Sequence, residues 1–528
     1  MAMPRHVLPL AAIAVTILGF FLTLDRVPIA WSDGVLYASI ARSLTTDHPG
    51  IPTVLAAAPD AVNHVRFYGP VFFQIMALSF RVFGLSLASA SLVSLLGALT
   101  IAIAGGLLVR ALGGGIERQL WAIALLLLTP ELGFSATNGR MDSLAVGFGM
   151  CALAVLVRGL AGAGAPLSHG IVSGLLLGAA ALTTPRALPF AAAFAAGGGA
   201  SLLLSGPGRE RRLGMLGIAL VTAASVVCAW TFQAHGDSLS WIRYLAAIAP
   251  AVDVDVALAP AAVRDWQIEP WRVLSMLAAV AGCGAAAAGL WRARTGESNL
   301  SPAMAFALAV TTLNFAIVML AFNLTFIFAI YFAIPLLAVV VALPYEQWAV
   351  NRRVLASAFV VLLAADALIR AGKYAGAALT WDARDPARIE RFVSEHVPTG
   401  SDVVGQASLY FYAVEAAGSR MVAASPYSNA EWTLSAPHDQ TPVPATAAAS
   451  VNVREQLRRR FFLWPLDEKK YARPPELACA DQPPIAIFEP PPTHLDWLGP
   501  FAAYTGTPGY PASRLSEIEP ACPPAVRP

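Results

Sequence analysis

The sequence predicts an α-helical polytopic membrane protein with a C-terminal soluble α/β domain. Of its 528 residues, 57% are hydrophobic and only 13% are charged, against about 25% charged residues in ordinary soluble domains. The composition changes near residue 373, after which charged residues and prolines become frequent. The net charge of +2 gives no overall field that would attract nucleic acid, so we expect no nucleic-acid partner.

Eleven apolar runs approach or reach the length needed to cross the ~30 Å hydrocarbon core of a bilayer. They are residues 7–24, 86–109, 119–134, 141–157, 170–184, 187–204, 214–232, 271–291, 302–321, 324–343 and 354–370. A further stretch, 71-VFFQIMALSFRVFG-84, is interrupted by Gln74 and Arg81, which predicts an interfacial or re-entrant helix. The first run begins like a signal peptide but lacks a convincing cleavage site, which favours an uncleaved anchor.

The placement of arginine predicts the orientation, because cytoplasmic loops carry an excess of positive charge. With the N-terminus in the cytoplasm, the short outer loops carry only Arg140 and Arg186. The predicted cytoplasmic loops carry Arg110, Arg118, Arg158, Arg209, Arg211, Arg212, Arg292, Arg294, Arg352 and Arg353. We therefore expect a multi-pass protein of a bacterial-type inner (plasma) membrane, with its C-terminal domain outside the cytoplasm.

Residues 1–372 form the predicted transmembrane module, and residues 373–528 form the predicted extracytoplasmic domain. Within the latter, 385-DPARIERFVSEHVPTGSDVVGQASLYFYAVEA-416 is typical of an amphipathic helix, a turn, a strand and a second regular element. The five cysteines contain no Cys-x-x-Cys metal pattern. Cys479 and Cys522 could form a disulfide if this domain faces an oxidising compartment.

The stretch 31-WSDGVLYASIARSL-44 predicts an amphipathic helix lying on the membrane surface. Ser32 or Asp33 is a good N-cap for it. Apolar residues spaced by four would line one face, and Asp33 and Tyr37 would share another. Asp33 is therefore a helix cap, a catalytic carboxylate at the membrane surface, or both.

Four other outer segments place charged side chains near the interface. In 63-NHVRFYGPVFF-73, Arg66 stands between His64 and Tyr68, ahead of a Gly-Pro break. An interfacial arginine binds phosphate bidentately or simply snorkels to the headgroups. Arg243, in the long outer loop 233–270, is a weaker candidate of the same kind.

The other two segments are short outer turns. In 135-SATNGRMDSLAVGFG-149, Arg140 and Asp142 form either a local pair that satisfies a helix end or a functional pair at membrane depth. In 183-TTPRALP-189, Arg186 is either a phosphate ligand or an interface anchor. The histidines do not cluster, so the sequence shows no zinc site.

These features in this order resemble the GT-C superfamily of polytopic glycosyltransferases, and within it the branch of protein O-mannosyltransferases and lipid A aminoarabinose transferases. The resemblance rests on an acid in 33-DGVLYASIA-41, on 66-RFYGPVFFQIMALSFRVFGLS-86, on a second acid in 139-GRMD-142 and on the soluble outer domain. The sequence similarity is good over about residues 30–160. Beyond them, only the architecture is similar. The resemblance departs at position 34, where Gly34 replaces the family's second acid, a glutamate.

The resemblance implies an integral membrane glycosyltransferase. It would transfer a sugar from a polyprenyl-phosphate-linked donor to an acceptor hydroxyl or phosphate on a glycan, lipid or protein at the outer face. Asp33 would be the catalytic base, with Asp142 as orienting partner or second acid. The expected donor phosphate or substrate ligands are Arg66, Arg140, Arg186, Tyr37, His64, Tyr68 and Arg243.

No cofactor is required by the sequence, although a divalent metal between the two carboxylates is possible. The expected partners are the polyprenyl-phosphate sugar donor, an acceptor that the sequence does not name, and membrane lipid. The competing hypothesis is a polytopic transporter or a lipid- or polysaccharide-handling protein without sugar transfer. That class favours repeated halves and charges at the bilayer midplane.

Overall fold

The computed structural model describes residues 6–26, 32–45, 68–162, 165–203, 208–235, 301–321, 326–342, 374–405, 407–422, 432–435, 486–488 and 513–517, with a few helical residues between 361 and 372. Several predictions fall outside these residues. They concern His64, Arg66, Arg243, the apolar run 271–291, and the cysteines Cys479 and Cys522.

Helices dominate the first part of the described chain. They are α1 (Val7–Leu22), α2 (Ser32–Ser43), α3 (Pro70–Phe83), α4 (Leu87–Ala111), α5 (Ile116–Leu128), α6 (Pro130–Ala136), α7 (Asp142–Leu160), α8 (Pro166–Thr183), α9 (Leu188–Ala193), α10 (Gly199–Leu203), α11 (Arg209–His235), α12 (Pro302–Ala321) and α13 (Phe326–Ala342). Two short segments of other helix types, Pro185–Ala187 (3-10) and Phe194–Gly198 (π), flank α9.

Four described helices are long and apolar enough to cross a membrane, namely α4, α7, α8 and α11, the last over Arg209–Gln233. Shorter apolar helices occur at Val7–Leu22, Pro70–Phe83 and Pro302–Val318. The run 119–134, predicted as one span, is divided between α5 and α6. The division falls at Pro130, which lacks the N–H that a continuing helix would need.

Small residues allow the central helices to pack closely, as in other membrane bundles. The Oγ of Ser143 on α7 donates a hydrogen bond to the carbonyl of Ser94 on α4, at 2.8 Å. The Oγ of Ser173 on α8 donates to the carbonyl of Ala152 on α7, at 2.9 Å. These bonds satisfy hydroxyl groups inside the bundle and fix α7 against the helices on both sides.

Helix α2 confirms the predicted helix, but its surroundings differ from the prediction of a surface helix. Val35, Tyr37, Ala38 and Ile40 are each 1% exposed or less, although they do not share one face. Protein therefore covers parts of α2 that an amphipathic surface helix would leave in contact with water. Helix α3 contributes part of this cover, since the rings of Tyr37 and Phe72 meet edge to face at 6.0 Å.

The C-terminal part contains α14 (Pro386–His396), β1 (Asp402–Gly405), α15 (Ala407–Ala416), β2 (Arg420–Val422), β3 (Trp432–Ser435), β4 (Ala486–Phe488) and β5 (Ser513–Glu517). The sheet order is β2-β1-β3-β5-β4. Strand β1 is parallel to β2 and β3, and β5 is antiparallel to β3 and β4. The predicted amphipathic helix is α14, which buries Ile389, Phe392 and Val393 at helical spacing.

The C-terminal part is packed against α2, α3 and the segment just after α1. Its aromatic residues Tyr410, Phe411 and Tyr412 belong to one apolar cluster with residues of α2 and α3. Arg26, just after α1, forms an ion pair with Asp385 at 3.1 Å. Arg384 donates to the carbonyl of Arg26 at 3.0 Å. The two parts of the chain therefore share a core next to α2.

Candidate active site

A buried carboxylate, Asp142, is the centre of the best-connected polar cluster in the described residues. Arg140 Nε donates to Asp142 Oδ2 at 2.7 Å. Arg186 Nη1 and Tyr331 Oη both donate to Oδ1, at 3.2 and 2.7 Å. Arg140 and Asp142 are each 1% exposed, so these bonds are made largely out of contact with water.

The structure pairs Arg140 with Asp142. The sequence left open whether this pair satisfies a helix end or is functional at membrane depth. Asp142 is the first residue of α7, and its carboxylate accepts hydrogen bonds from cationic and phenolic donors in three segments of the chain.

The turn before α7 is held in place by α4. Ser91 Oγ donates to the carbonyl of Thr137 at 3.1 Å, and Ser94 Oγ donates to the carbonyl of Arg140 at 2.7 Å. Gly139 has a φ of +67°, a left-handed conformation that side chains disfavour. The backbone position of Arg140 is therefore fixed by two serines one helical turn apart, and the glycine permits the turn that leads to it.

Arg186 reaches the cluster from the short turn Pro185–Ala187, between α8 and α9. Thr184 caps that turn by accepting from the backbone N–H of Arg186. Burial is the largest single influence on Arg186 and lowers its pKa. Asp142, together with Tyr37, Tyr68 and Tyr331, more than offsets burial, so the pKa of Arg186 is raised well above its ordinary value. The guanidinium therefore stays charged beside the carboxylate.

Tyr331 is a site residue that the sequence analysis missed. It lies on α13 and is 5% exposed. Asn314 on α12 donates to its carbonyl oxygen at 2.7 Å. A signal was present, because a tyrosine inside the apolar stretch 326–342 needs a partner for its hydroxyl. The pattern could not show which partner, since Asp142 lies 189 residues away in the chain.

Two predicted binding tyrosines lie beside this cluster. The rings of Tyr37 on α2 and Tyr68 are 5.4 Å apart, and both contribute to the raised pKa of Arg186. Phe73 on α3 approaches them at 6.2 and 6.3 Å. The structure thus brings together Tyr37, Tyr68 and the Arg186 turn, from segments far apart in the sequence.

Asp33 is the second residue of α2, which begins at Ser32, so the helix starts where the sequence predicted. The neighbouring Gly34 lies against the turn before α7. A Cβ added to Gly34 would collide with the carbonyl oxygen of Asn138. The backbone of α2 at Asp33 is therefore placed close to the turn that holds Arg140 and Asp142.

Close packing also explains the departure from the family pattern at position 34. The resemblance calls for a second acid there, but any residue with a Cβ would push α2 away from Asn138. In this chain the position next to Asp33 is used for contact between α2 and the turn. Within the described part of the chain, Arg140 and Arg186 both form ion pairs with Asp142.

The described residues include no group of three His, Cys, Asp or Glu side chains that could hold a metal ion. Both oxygens of Asp142 already accept hydrogen bonds from Arg140, Arg186 and Tyr331. Because both of its oxygens accept hydrogen bonds from protein groups, Asp142 is poorly suited to be a metal ligand.

No family model matches the chain, and no curated protein sequence matches it significantly. Solved structures do match. ArnT from Cupriavidus metallidurans bound to undecaprenyl phosphate aligns with a TM-score of 0.51 at 13% identity, over 84% of this chain and 94% of that one. Archaeal oligosaccharyltransferase AglB from Archaeoglobus fulgidus, in complex with an inhibitory peptide and a dolichol-phosphate, aligns at 0.47 and 14%, over 81% and 69%. An Archaeoglobus fulgidus oligosaccharyltransferase in complex with Zn and sulfate aligns with a TM-score of 0.46 at 17% identity, over 80% of this chain and 68% of that one.

The alignment with ArnT spans nearly all of that protein, which is a GT-C superfamily glycosyltransferase. This chain has the GT-C fold. The fold implied by the sequence resemblance is thereby confirmed, while the activity and the assignment to one branch stay predictions. On this GT-C fold, Asp142 and its three donors join the starts of α7 and α9 to α13.

Proposed function

We propose that this chain is an integral membrane glycosyltransferase. It transfers a sugar from a polyprenyl-phosphate-linked donor to a hydroxyl or phosphate of a glycan, lipid or protein acceptor at the outer face of the membrane. The likeness to ArnT supports the choice of donor, because that protein was solved with undecaprenyl phosphate, a lipid phosphate.

The observation that carries the proposal is a pair of arginines, Arg140 and Arg186, that hold the buried carboxylate Asp142 from two separate turns of the chain. One of the two, Arg186, is still partly exposed beside that carboxylate. A phosphate has the matching charge and accepts several hydrogen bonds from guanidinium groups.

The partial exposure of Arg186 supports the approach of a phosphate from its side of the cluster. Its side chain is 18% exposed, whereas those of Arg140 and Asp142 are 1% exposed. Arg186 would therefore meet the donor phosphate directly. Arg140 would act from behind, by fixing Asp142 and adding to the positive field. Tyr37 and Tyr68 would border the same place.

Transfer then requires a base for the acceptor. The acceptor oxygen forms a bond to the anomeric carbon, the bond from that carbon to the phosphate oxygen breaks, and the hydroxyl proton passes to a carboxylate. Asp142 is engaged by three donors, so we assign it the orienting role. Asp33, whose helix is held against the same turn through Gly34, is the base. Arg186 stabilises the charge on the departing lipid phosphate.

A divalent metal is not required by this scheme. The described residues give it no cluster of ligands, and the phosphate charge can be met by arginine alone. A metal shared by Asp33 with groups beyond Asp142 would be compatible with the same chemistry. Titration of transfer activity with chelator decides this point.

The test uses the full chain in nanodiscs. Wild type should bind undecaprenyl phosphate and transfer sugar from at least one member of a panel of undecaprenyl-phosphate sugars. Arg186→Met should weaken the binding of undecaprenyl phosphate by about tenfold to a hundredfold, the value of one charge-assisted hydrogen bond. Arg110→Met, at an exposed position near the end of α4, is the matched control and should bind as wild type does. Equal binding by both variants would remove the cluster as the phosphate site.

A further inference from the structure

Two buried polar side chains beside the cluster have no role in the scheme above. Asn138, in the turn between α6 and α7, is 2% exposed, and Ser135, three residues earlier, is 4% exposed. Among the described residues, neither Oδ1 nor Nδ2 of Asn138 has a hydrogen-bond partner, and neither does Oγ of Ser135. Buried polar groups are nearly always hydrogen-bonded, because desolvation without compensation is costly. Three orphaned atoms within four residues point to a missing partner.

The turn that contains Asn138 adjoins both the helix of the proposed base and the proposed phosphate site. The carbonyl oxygen of Asn138 is the atom that Gly34 of α2 approaches, next to Asp33. Two residues later, Arg140 enters the cluster around Asp142. In the reaction proposed above, the sugar lies between the acceptor's base and the donor's phosphate, so Asn138 belongs to the turn that adjoins the sugar.

The chemistry of the orphaned atoms selects hydroxyl groups over phosphate as their partner. An amide offers one acceptor oxygen and two N–H donors, and a serine hydroxyl both donates and accepts. A phosphate only accepts, so it would leave Asn138 Oδ1 unsatisfied. Neighbouring sugar hydroxyls both donate and accept, and they can satisfy both ends of the amide. The uncharged amide also suits an uncharged part of the donor.

We propose that Asn138, supported by Ser135, binds hydroxyl groups of the sugar carried by the lipid donor. This inference rests on the proposed function and adds a residue that recognises the sugar as distinct from the lipid phosphate. It makes Asn138 a specificity-determining residue. A binding site that hydrogen-bonds a hydroxyl rejects donors lacking that hydroxyl, since its own polar atoms are then left unpaired.

The test compares Asn138→Leu with Thr137→Val in the full chain in nanodiscs. Leucine keeps the approximate shape of asparagine and removes its polar atoms. Thr137 is 6% exposed and its hydroxyl already has a partner, the carbonyl of Gly133 at 3.3 Å. Thr137→Val is thus a matched change in the same turn that removes no orphaned group. For each protein we would measure the affinity for undecaprenyl phosphate and for undecaprenyl-phosphate-linked mannose, glucose, N-acetylglucosamine and 4-amino-4-deoxyarabinose, together with thermal unfolding.

Wild type should bind at least one of these sugar-bearing lipids more tightly than undecaprenyl phosphate. Asn138→Leu should reduce that preference by about tenfold, the value of two neutral hydrogen bonds. It should keep wild-type affinity for undecaprenyl phosphate and wild-type or higher thermal stability, because an orphaned polar group has been removed. Thr137→Val should keep the preference.

The other outcomes overturn the inference. An unchanged preference in Asn138→Leu would mean that these atoms bind water or nothing in the working enzyme. Lower thermal stability with an unchanged preference would assign Asn138 a structural role. A wild type with no preference for any of the sugars, but with affinity for undecaprenyl phosphate, would remove the sugar site and leave the phosphate site. A wild type that binds none of these lipids would overturn the proposed function as well.

Discussion

Substitution of Gly34 by alanine is the sharpest test of the geometry around Asp33. The added Cβ would collide with the carbonyl oxygen of Asn138 and would lie 3.5 Å from its carbonyl carbon. Both are backbone atoms of a turn that Ser91 and Ser94 fix to α4. The turn therefore resists movement, and α2 must move away from it.

The size of the movement follows from ordinary contact distances. Carbon atoms pack best at about 3.5–4.0 Å, so relief of the collision needs a shift on the order of 1 Å at the start of α2. A displacement of that size in a reacting group can reduce the rate about 100-fold. Overpacking of this kind costs roughly 1–3 kcal/mol of stability, which leaves most of the fold in place.

The assay measures sugar transfer and thermal unfolding of Gly34→Ala in nanodiscs, beside Gly217→Ala. Gly217 lies within α11, and a Cβ added there would meet no described atom within 4 Å, so its variant should transfer sugar normally. Gly34→Ala should lose about 100-fold in rate and little in its affinity for undecaprenyl phosphate, because the proposed phosphate ligand is Arg186. Transfer at the wild-type rate would show that the contact between α2 and Asn138 does not position the base. Gly34→Glu, which restores the acid of the family pattern, should be at least as impaired as Gly34→Ala.

Two further substitutions test individual roles. Asp33→Asn should abolish nearly all transfer while membrane insertion and undecaprenyl phosphate binding stay normal, and transfer at the wild-type rate would exclude Asp33 as the base. Tyr331→Phe removes the 2.7 Å hydrogen bond to Asp142 and should destabilise the protein by about 1.5–3 kcal/mol, the usual value of a hydrogen bond to a charged group. Its check is thermal unfolding, and an unchanged unfolding temperature would show that Arg140 and Arg186 hold Asp142 without the phenol.

Much of the architecture could be read from local patterns. The apolar runs predicted α4, α7, α8 and α11, and the stretch after residue 31 predicted α2. The pattern also selected the charged members of the cluster, Arg140, Asp142 and Arg186. This was possible because few charged residues occur in so apolar a chain. A charged residue at a helix end is therefore readily identified as a candidate functional residue.

The sequence by itself determined which segments are helical and which side chains are chemically capable, because periodicity and composition are properties of neighbouring residues. Only the tertiary structure decided the partners. It joined Tyr331 to Asp142, covered α2 on several sides, and left Asn138 buried without a partner among the described residues. It also explains why position 34 is a glycine, because the distance between α2 and the turn before α7 depends on how the helices pack. Contacts between residues far apart in the chain depend on that packing and leave no local pattern to read.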